Sequence, residues 1–278
     1  MVAGVKIPKK KVVAKKRSGG KLVAAKAGRR GKISAEQARL LELEEGIANA
    51  RQWVCGWDFE IAARAEGSRL IAGVDEVGRG PLFGPVVAAA VILPEGAELD
   101  GLNDSKKLTE EEREHFNERV RNLAVAWAVA EVDVRTIDRI NILQASRLAM
   151  RLAVNSLTHQ PDCLLIDGNQ KIDSLCRQTT VVQGDARSLS IAAASVIAKV
   201  HRDRLLCELD AQFPGYGLAR NKGYSTPEHK AALLKLGITE MHRRSFAPVA
   251  ELFDGELDAI DVVEVIEELD LEFGLDIV

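Results

Sequence analysis

No stretch of this 278-residue chain approaches the roughly 18 to 20 apolar residues of a membrane-spanning helix. Its basic N-terminus is not followed by the apolar segment that a secretory signal needs, so a cytoplasmic protein is expected. Cysteine is scarce and scattered: Cys55, Cys163, Cys176 and Cys207 form no C-x-x-C pair, and no histidine is placed to complete a zinc site. That excludes a disulfide scaffold and a zinc ribbon and leaves reduced structural thiols. Acids are missing altogether from residues 1–33, which hold twelve Lys or Arg, and bases are missing from residues 251–278, which hold eleven Asp or Glu. The formal net charge of −3 therefore hides a strong polarity and is a poor guide to partners. A basic tail of this kind contacts nucleic acid or another polyanion, or is simply solvated.

What is present is the composition of a soluble globular chain, 46% apolar and 4% aromatic, long enough to bury a substantial core. One catalytic domain with extensions is expected. Residues 1–33 lack apolar periodicity and are expected to form a disordered basic arm. Ser34-Ala-Glu-Gln37 fits a capping box opening a helix through about residue 50, so that 34–69 is an N-terminal helical extension. The runs Leu70–Asp75 and Pro85–Leu93 have the character of buried strands in hairpin order.

Thr109 with Glu112 makes a second capping box before a charged helix over 110–122, and Ala124–Val132 resembles a third strand. Apolar spacing predicts a helix over Asn141–Leu157, short strands at Cys163–Ile166 and Thr179–Val182, and a long helix over Ser188–Leu209. Another helix starts at Thr226-Pro227-Glu228, with Pro at its favoured first position. Strands first in hairpin order and then alternating with helices predict an α/β fold with a mixed sheet over residues 70–250. In the acidic segment 251–278, apolar residues recur at Leu257, Ile260, Val263, Ile266 and Leu269, consistent with a C-terminal helical segment, with a solvated acidic tail as the default alternative.

The densest chemical signal is GVDEVGRGPLFGPV, residues 73–86. Asp75 and Glu76 stand where an apolar strand ends. Successive strand residues point to opposite faces, so both acids can serve one site only if the strand breaks at Glu76 and its side chain curls back. Gly78, Gly80 and Gly84 superficially fit a dinucleotide loop, but Pro85 leads into a strand where that loop would have to open a helix. Asp167 follows a second apolar strand in LLIDG, and Asp185 precedes the long helix in QGDARS. Each acid alone is more often a cap or a turn residue. Converging, the four would be the hard-oxygen set that Mg²⁺ or Mn²⁺ takes alongside water and phosphate.

From about Leu70 to Val249 the sequence resembles bacterial ribonuclease HII. The resemblance rests on VDEVGRGPLFGPVVAAAVIL, GLNDSKKLT, LLIDGNQ, GDARSLSIAAASVIAKVHRD, KGYSTPEH and HRRSF, in that order. It implies the ribonuclease H-like fold, a five-stranded mixed sheet flanked by helices. It implies that Asp75, Glu76, Asp167 and Asp185 are catalytic ligands of divalent metal, Mn²⁺ or Mg²⁺, two ions of which serve an in-line displacement at phosphorus. Gly78, Arg79 and Gly80 match the family's motif for sensing the ribose 2′-hydroxyl, and Tyr224 its sugar-stacking ring. Lys106 and Lys107 fall in its phosphate-contacting segment, with no choice between them.

The implied activity is endonucleolytic hydrolysis of the RNA strand of RNA–DNA hybrids, and incision 5′ of ribonucleotides embedded in DNA, leaving 5′-phosphates. The implied partners are those two nucleic acids, with no membrane and a monomeric enzyme. His201 and Asp203 are expected to be structural or substrate-contacting; His242, Arg243 and Arg244 either line the nucleic-acid path or cap the segment before them. Against the related ribonuclease HIII stand the intact GRG and KGY motifs. Against a catalytically silent binding protein stands the full set of four acids.

Overall fold

Two runs of small and β-branched residues make the antiparallel pair at the middle of a sheet, β1 (Ile71–Val77) and β2 (Val86–Ile92). Every residue of β2 is buried, which is why it reads as a continuous apolar run and not as an alternating one. The computed structural model describes residues 55–252; the basic arm, the capping box at Ser34 with its helix, and the apolar recurrences of the acidic segment lie outside the described residues. Three further strands complete a five-stranded mixed sheet in the order β3-β2-β1-β4-β5. β3 (Ala126–Val132) is antiparallel to β2, while β4 (Cys163–Asp167) and β5 (Arg177–Val181) run parallel to β1.

Ahead of β1 lies α1 (Asp58–Ala65), and between β2 and β3 lies α2 (Glu110–Leu123). The capping box expected at Thr109 is complete, with Thr109 accepting from the Glu112 amide and Glu112 from the Thr109 amide. α3 (Val134–Asn155) begins earlier than its apolar spacing predicts, because Asp133 caps a first turn at the Thr136 amide. Asn141 (φ 67°) interrupts it and restarts the helix by accepting from the amides of Leu143 and Gln144. A single 3₁₀ turn (Gly184–Ala186) leads into α4 (Leu189–Gln212), followed by α5 (Leu218–Asn221), α6 (Pro227–Leu236) and α7 (Val249–Leu252).

The sheet is covered on both faces. Ala72, Val74, Ala88 and Ala90 pack on Ile137, Leu148 and Ala149 of α3. Val87, Ala89 and Val91 pack on the other face against Ala193, Val196 and Ile197 of α4 and Phe116 of α2. α4 crosses β1 very closely, since a β-carbon on Gly73 would lie 2.0 Å from the Ser190 carbonyl carbon. That approach holds the start of α4, and with it Asp185, beside the acidic end of β1. α1 is fastened to the same place: buried Glu60 accepts from Ser188 Oγ at 2.6 Å and from the Ser190 amide at 2.9 Å. A third apolar cluster of Leu82, Phe83, Leu206, Tyr216, Leu218 and Leu233 underlies the loop joining β1 to β2. Among the described residues, no helix is long and apolar enough to cross a membrane.

Candidate metal centre

β1 does not break at Glu76, contrary to the condition set by its alternating side chains. The antiparallel register continues through Glu76 opposite Ala88 and Val77 opposite Val87. What ends is the neighbour on the other side, because the β1–β4 pairing stops at Val74 opposite Ile166. Beyond that point β1 has an open edge beside Asp167, the last residue of β4. Asp75 lies on the α4 face, opposite Ala89, and Glu76 on the α3 face, opposite Ala88. With no strand between them and Asp167, side chains from both faces feel its charge, and both pKa values respond to it.

Each acid is held by a donor. Asp75 accepts from the Glu76 amide at 2.8 Å and from Ser195 on α4, whose hydroxyl meets that of Ser105 at 2.9 Å. Glu76 accepts from Arg79 Nη1 at 3.1 Å. Asp167 accepts from the Gly184 amide at 2.7 Å, tying the end of β4 to the turn that carries Asp185. Asp185 Oδ2 faces Lys106 Nζ at 3.3 Å, and that ammonium is also 3.8 Å from Asp104. Lys106 is thus the lysine of the pair that reaches the carboxylates; Lys107, exposed, donates its backbone N–H to the Asp104 carbonyl.

Burial and neighbouring carboxylates raise the pKa of Asp75, Glu76 and Asp185. Asp75 is pushed well above the usual carboxylate range by burial, then by Glu76, Asp167 and Asp185. Burial also raises Glu76, against the opposing pull of Arg79, and raises Asp185 with the help of Asp167 and Asp104. For Lys106 burial works against the charge, but Asp185, Asp104 and Asp75 outweigh it and its pKa rises. Nearby Cys55 is pushed up to about 12 by burial, Glu60 and Asp185, and remains a thiol.

Buried carboxylates that repel one another match hard divalent cations, for which Mg²⁺ and Mn²⁺ are suited. Among the described residues, no three His, Cys, Asp or Glu side chains close around one point as a finished cage. Arg79, Lys106 and the Gly184 amide each draw one carboxylate outward, and a cation would compete with those partners.

A consequence for stability can be measured. A carboxyl whose folded pKa is raised keeps its proton in the folded state while the unfolded chain has released it, so folded stability falls as pH climbs from the ordinary carboxylate value through the raised one. In chelator, Asp185→Asn should therefore gain Tm relative to the parent as pH rises from about 4, a gap that Mn²⁺ narrows by stabilising the parent alone. A gap independent of pH would mean that Asp185 carries no such penalty.

The glycine turn sits beside the carboxylates. Gly78 has φ 91°, and Gly80 lies against Tyr224, whose Cε1 would stand 3.5 Å from a β-carbon there. Tyr224 is 45% exposed, leaving much of its ring open to a ligand. Two buried cations lie beneath this turn, Arg202, which the sequence did not single out, and Arg243, expected either to line the nucleic-acid path or to cap the segment before it. Asp104, Ser105 and Ser195 were also missed, although the first two stand in the GLNDSKKLT stretch. His201 pairs instead with Glu131 on the surface (2.5 Å), and Asp203 with Lys199 (2.6 Å). His242 is buried on His229, the two Nε2 atoms 3.2 Å apart, and burial with that neighbour presses its pKa down to about 3. Arg244 and Ser245 donate backbone N–H groups to Asp138.

Comparison with known proteins bears on the family and the fold. The family model for ribonuclease HII matches residues 72–249. A ribonuclease HII of Koribacter versatilis is 55% identical over 195 residues, covering 70% of this chain and 76% of the relative. Among solved structures, the ribonuclease H2 of Pyrococcus horikoshii OT3 superposes with a TM-score of 0.58 at 26% identity, covering 66% of this chain and 97% of that one. A Bst ribonuclease HIII in complex with Mn²⁺ shares the fold at a TM-score of 0.54 and 20% identity, covering 69% of this chain and 71% of that one.

Proposed function

The chain belongs to the ribonuclease HII family, and on that premise we propose that it hydrolyses the RNA strand of RNA–DNA hybrids and incises 5′ of single ribonucleotides in DNA. The observation that supports the reading is that Asp75, Glu76 and Asp185 each feel the charge of Asp167 near the open edge of β1, with the Gly78–Gly80 turn and the Tyr224 ring following on the same loop side. Asp75, Glu76, Asp167 and Asp185 would hold divalent metal, Mg²⁺ or Mn²⁺. Two such ions, when bound, supply neutralisation of phosphate charge and a more acidic water for in-line attack.

The remaining work falls to the chain's own groups. Lys106, already beside Asp185, is the lysine we assign to a substrate phosphate; a polyanion entering the site offers its ammonium a second partner. Lys107 is exposed one residue further on and adds to the positive field. The backbone of Gly78, Arg79 and Gly80 approaches the ribose, where the 2′-hydroxyl is the group that distinguishes RNA from DNA. Tyr224 provides the flat face against which the sugar rests. The enzyme is expected to act as a monomer in the cytoplasm.

Incubating the purified protein with a DNA duplex carrying one ribonucleotide, with Mn²⁺, Mg²⁺ or chelator, tests the reading. Metal-dependent incision 5′ of the ribonucleotide, with a 5′-phosphate on the downstream fragment, is the expected result. Cleavage confined to long RNA–DNA hybrids would remove the single-ribonucleotide assignment, and no cleavage of either would remove the whole reading.

A further inference from the structure

We propose that Arg243 is a positioning residue for ribose recognition, turning the N–H groups of Arg79 and Gly80 out toward the sugar by holding the preceding carbonyls, those of Gly78 and Arg79, from beneath. The inference rests on the reading that residues 78–80 sense the 2′-hydroxyl.

Arg243 is completely buried and, among the described residues, its guanidinium hydrogen-bonds no carboxylate, although it feels the charge of Asp138; it donates to three backbone carbonyls of the loop between β1 and β2. Nη2 reaches the Gly78 carbonyl at 2.6 Å and that of Gly84 at 2.8 Å; Nη1 reaches Arg79 at 3.1 Å and Nε reaches Gly84 at 3.0 Å. Arg202, also buried, does the same for the carbonyls of Phe83 (3.0 Å), Lys222 (3.0 Å) and Pro85 (3.3 Å). Gly78 has no side chain because Arg202 fills the space, a β-carbon there lying 2.3 Å from Arg202 Nε. Burial and the neighbouring Arg202 press the pKa of Arg243 down to about 9, which leaves it a cation at neutral pH.

Peptide geometry converts these contacts into a direction. In a trans peptide the carbonyl of one residue and the N–H of the next point opposite ways, and among the described residues the only cis bond is Ala247–Pro248. With the Gly78 and Arg79 carbonyls drawn inward to Arg243, the N–H groups of Arg79 and Gly80 point outward. Neither has an acceptor among the described residues. Two adjacent donors beside the open Tyr224 ring suit a group that accepts hydrogen bonds and lies next to an apolar sugar face. Two buried cations behind them reinforce the donors' positive end.

A guanidinium spans three carbonyls because its five N–H groups are fixed in a planar fork; a lysine presents one nitrogen and cannot. Arg243→Lys keeps the charge and loses the span. With Ca²⁺ present to hold duplexes without cutting them, the Kd for all-DNA duplex divided by that for a duplex with one ribonucleotide should fall at least tenfold in this variant. Its affinity for Mn²⁺ should be unchanged. In the wild type, the Arg79 and Gly80 amide protons should exchange quickly in free enzyme and slowly only with the ribonucleotide duplex bound. If Arg243→Lys fails to fold, Arg202→Lys, which loosens the same loop through Phe83 and Pro85, is expected to lower the ratio in the same direction. Wild-type amides protected equally by all-DNA duplex would overturn the ribose-sensing reading itself. Amides protected only by ribonucleotide, with the ratio intact in a folded lysine variant, would overturn the role of Arg243 alone.

Discussion

Asp167→Asn should leave a folded protein whose single-turnover cleavage is slower by about a thousandfold. The fold is expected to survive because the contact Asp167 makes is one an amide can keep: its Oδ1 accepts from the Gly184 amide at 2.7 Å, and an asparagine carbonyl can accept the same bond, though more weakly. What the substitution removes is one negative charge from a cluster in which Asp75, Glu76 and Asp185 all respond to Asp167. Metal-ion stabilisation of charge at a reacting phosphate is worth several kcal/mol, and about 4 kcal/mol corresponds to roughly a thousandfold in rate. Relief of repulsion should at the same time raise the Tm in chelator and weaken the Tm gain on adding Mn²⁺. Near-normal turnover in a well-folded variant would take Asp167 out of the proposed metal centre, whatever became of the other three acids.

The acids themselves were legible because each ends an apolar run or starts a helix, and strand ends and helix starts are visible in a local pattern. Their convergence was not. Whether Glu76 can join Asp75 depends on where β4 stops, a matter of register between strands some ninety positions apart that no local window contains. Side-chain alternation alone calls for a break in β1, while the structure keeps β1 intact and withdraws its neighbour. Lys106 could not be separated from Lys107 for the same reason, since its carboxylate partner is 79 residues away. That Arg202 and Arg243 brace the glycine turn was invisible for a different one, although Arg243 is itself expected from sequence as a nucleic-acid contact or a cap. Arginine is rarely buried without a carboxylate, and their acceptors are backbone carbonyls, which side-chain chemistry does not mark. The sheet, by contrast, follows from composition: a wholly apolar β2 needs cover on both faces, and the helices after it provide that cover.

Deleting residues 1–33 should weaken duplex binding at low salt and flatten its salt dependence, while single-turnover cleavage at saturating substrate stays nearly unchanged. Twelve cations without an acid attract any duplex by releasing condensed counterions, with no need to touch the metal centre. On B-form DNA each phosphate neutralised contributes about −0.9 to the log–log salt slope. If the arm neutralises about four phosphates, its loss removes a slope of roughly −3.6, which between about 50 and 200 mM salt is a hundredfold or so in affinity. Its competitor within the chain is the acidic end. Residues 253–278 hold ten Asp or Glu and no base, and removing them leaves α7 and the buried Val249 in place. If those acids occupy the arm in free enzyme, substrate must displace them, and deleting 253–278 alone should tighten binding. The double deletion then reports their coupling: it should match the arm deletion, because without the arm the acidic end has nothing to occupy. An arm deletion that leaves both affinity and salt slope unchanged would show that the twelve charges make no contact with nucleic acid. A C-terminal deletion that tightens binding even without the arm would place the acids' repulsion on the substrate directly.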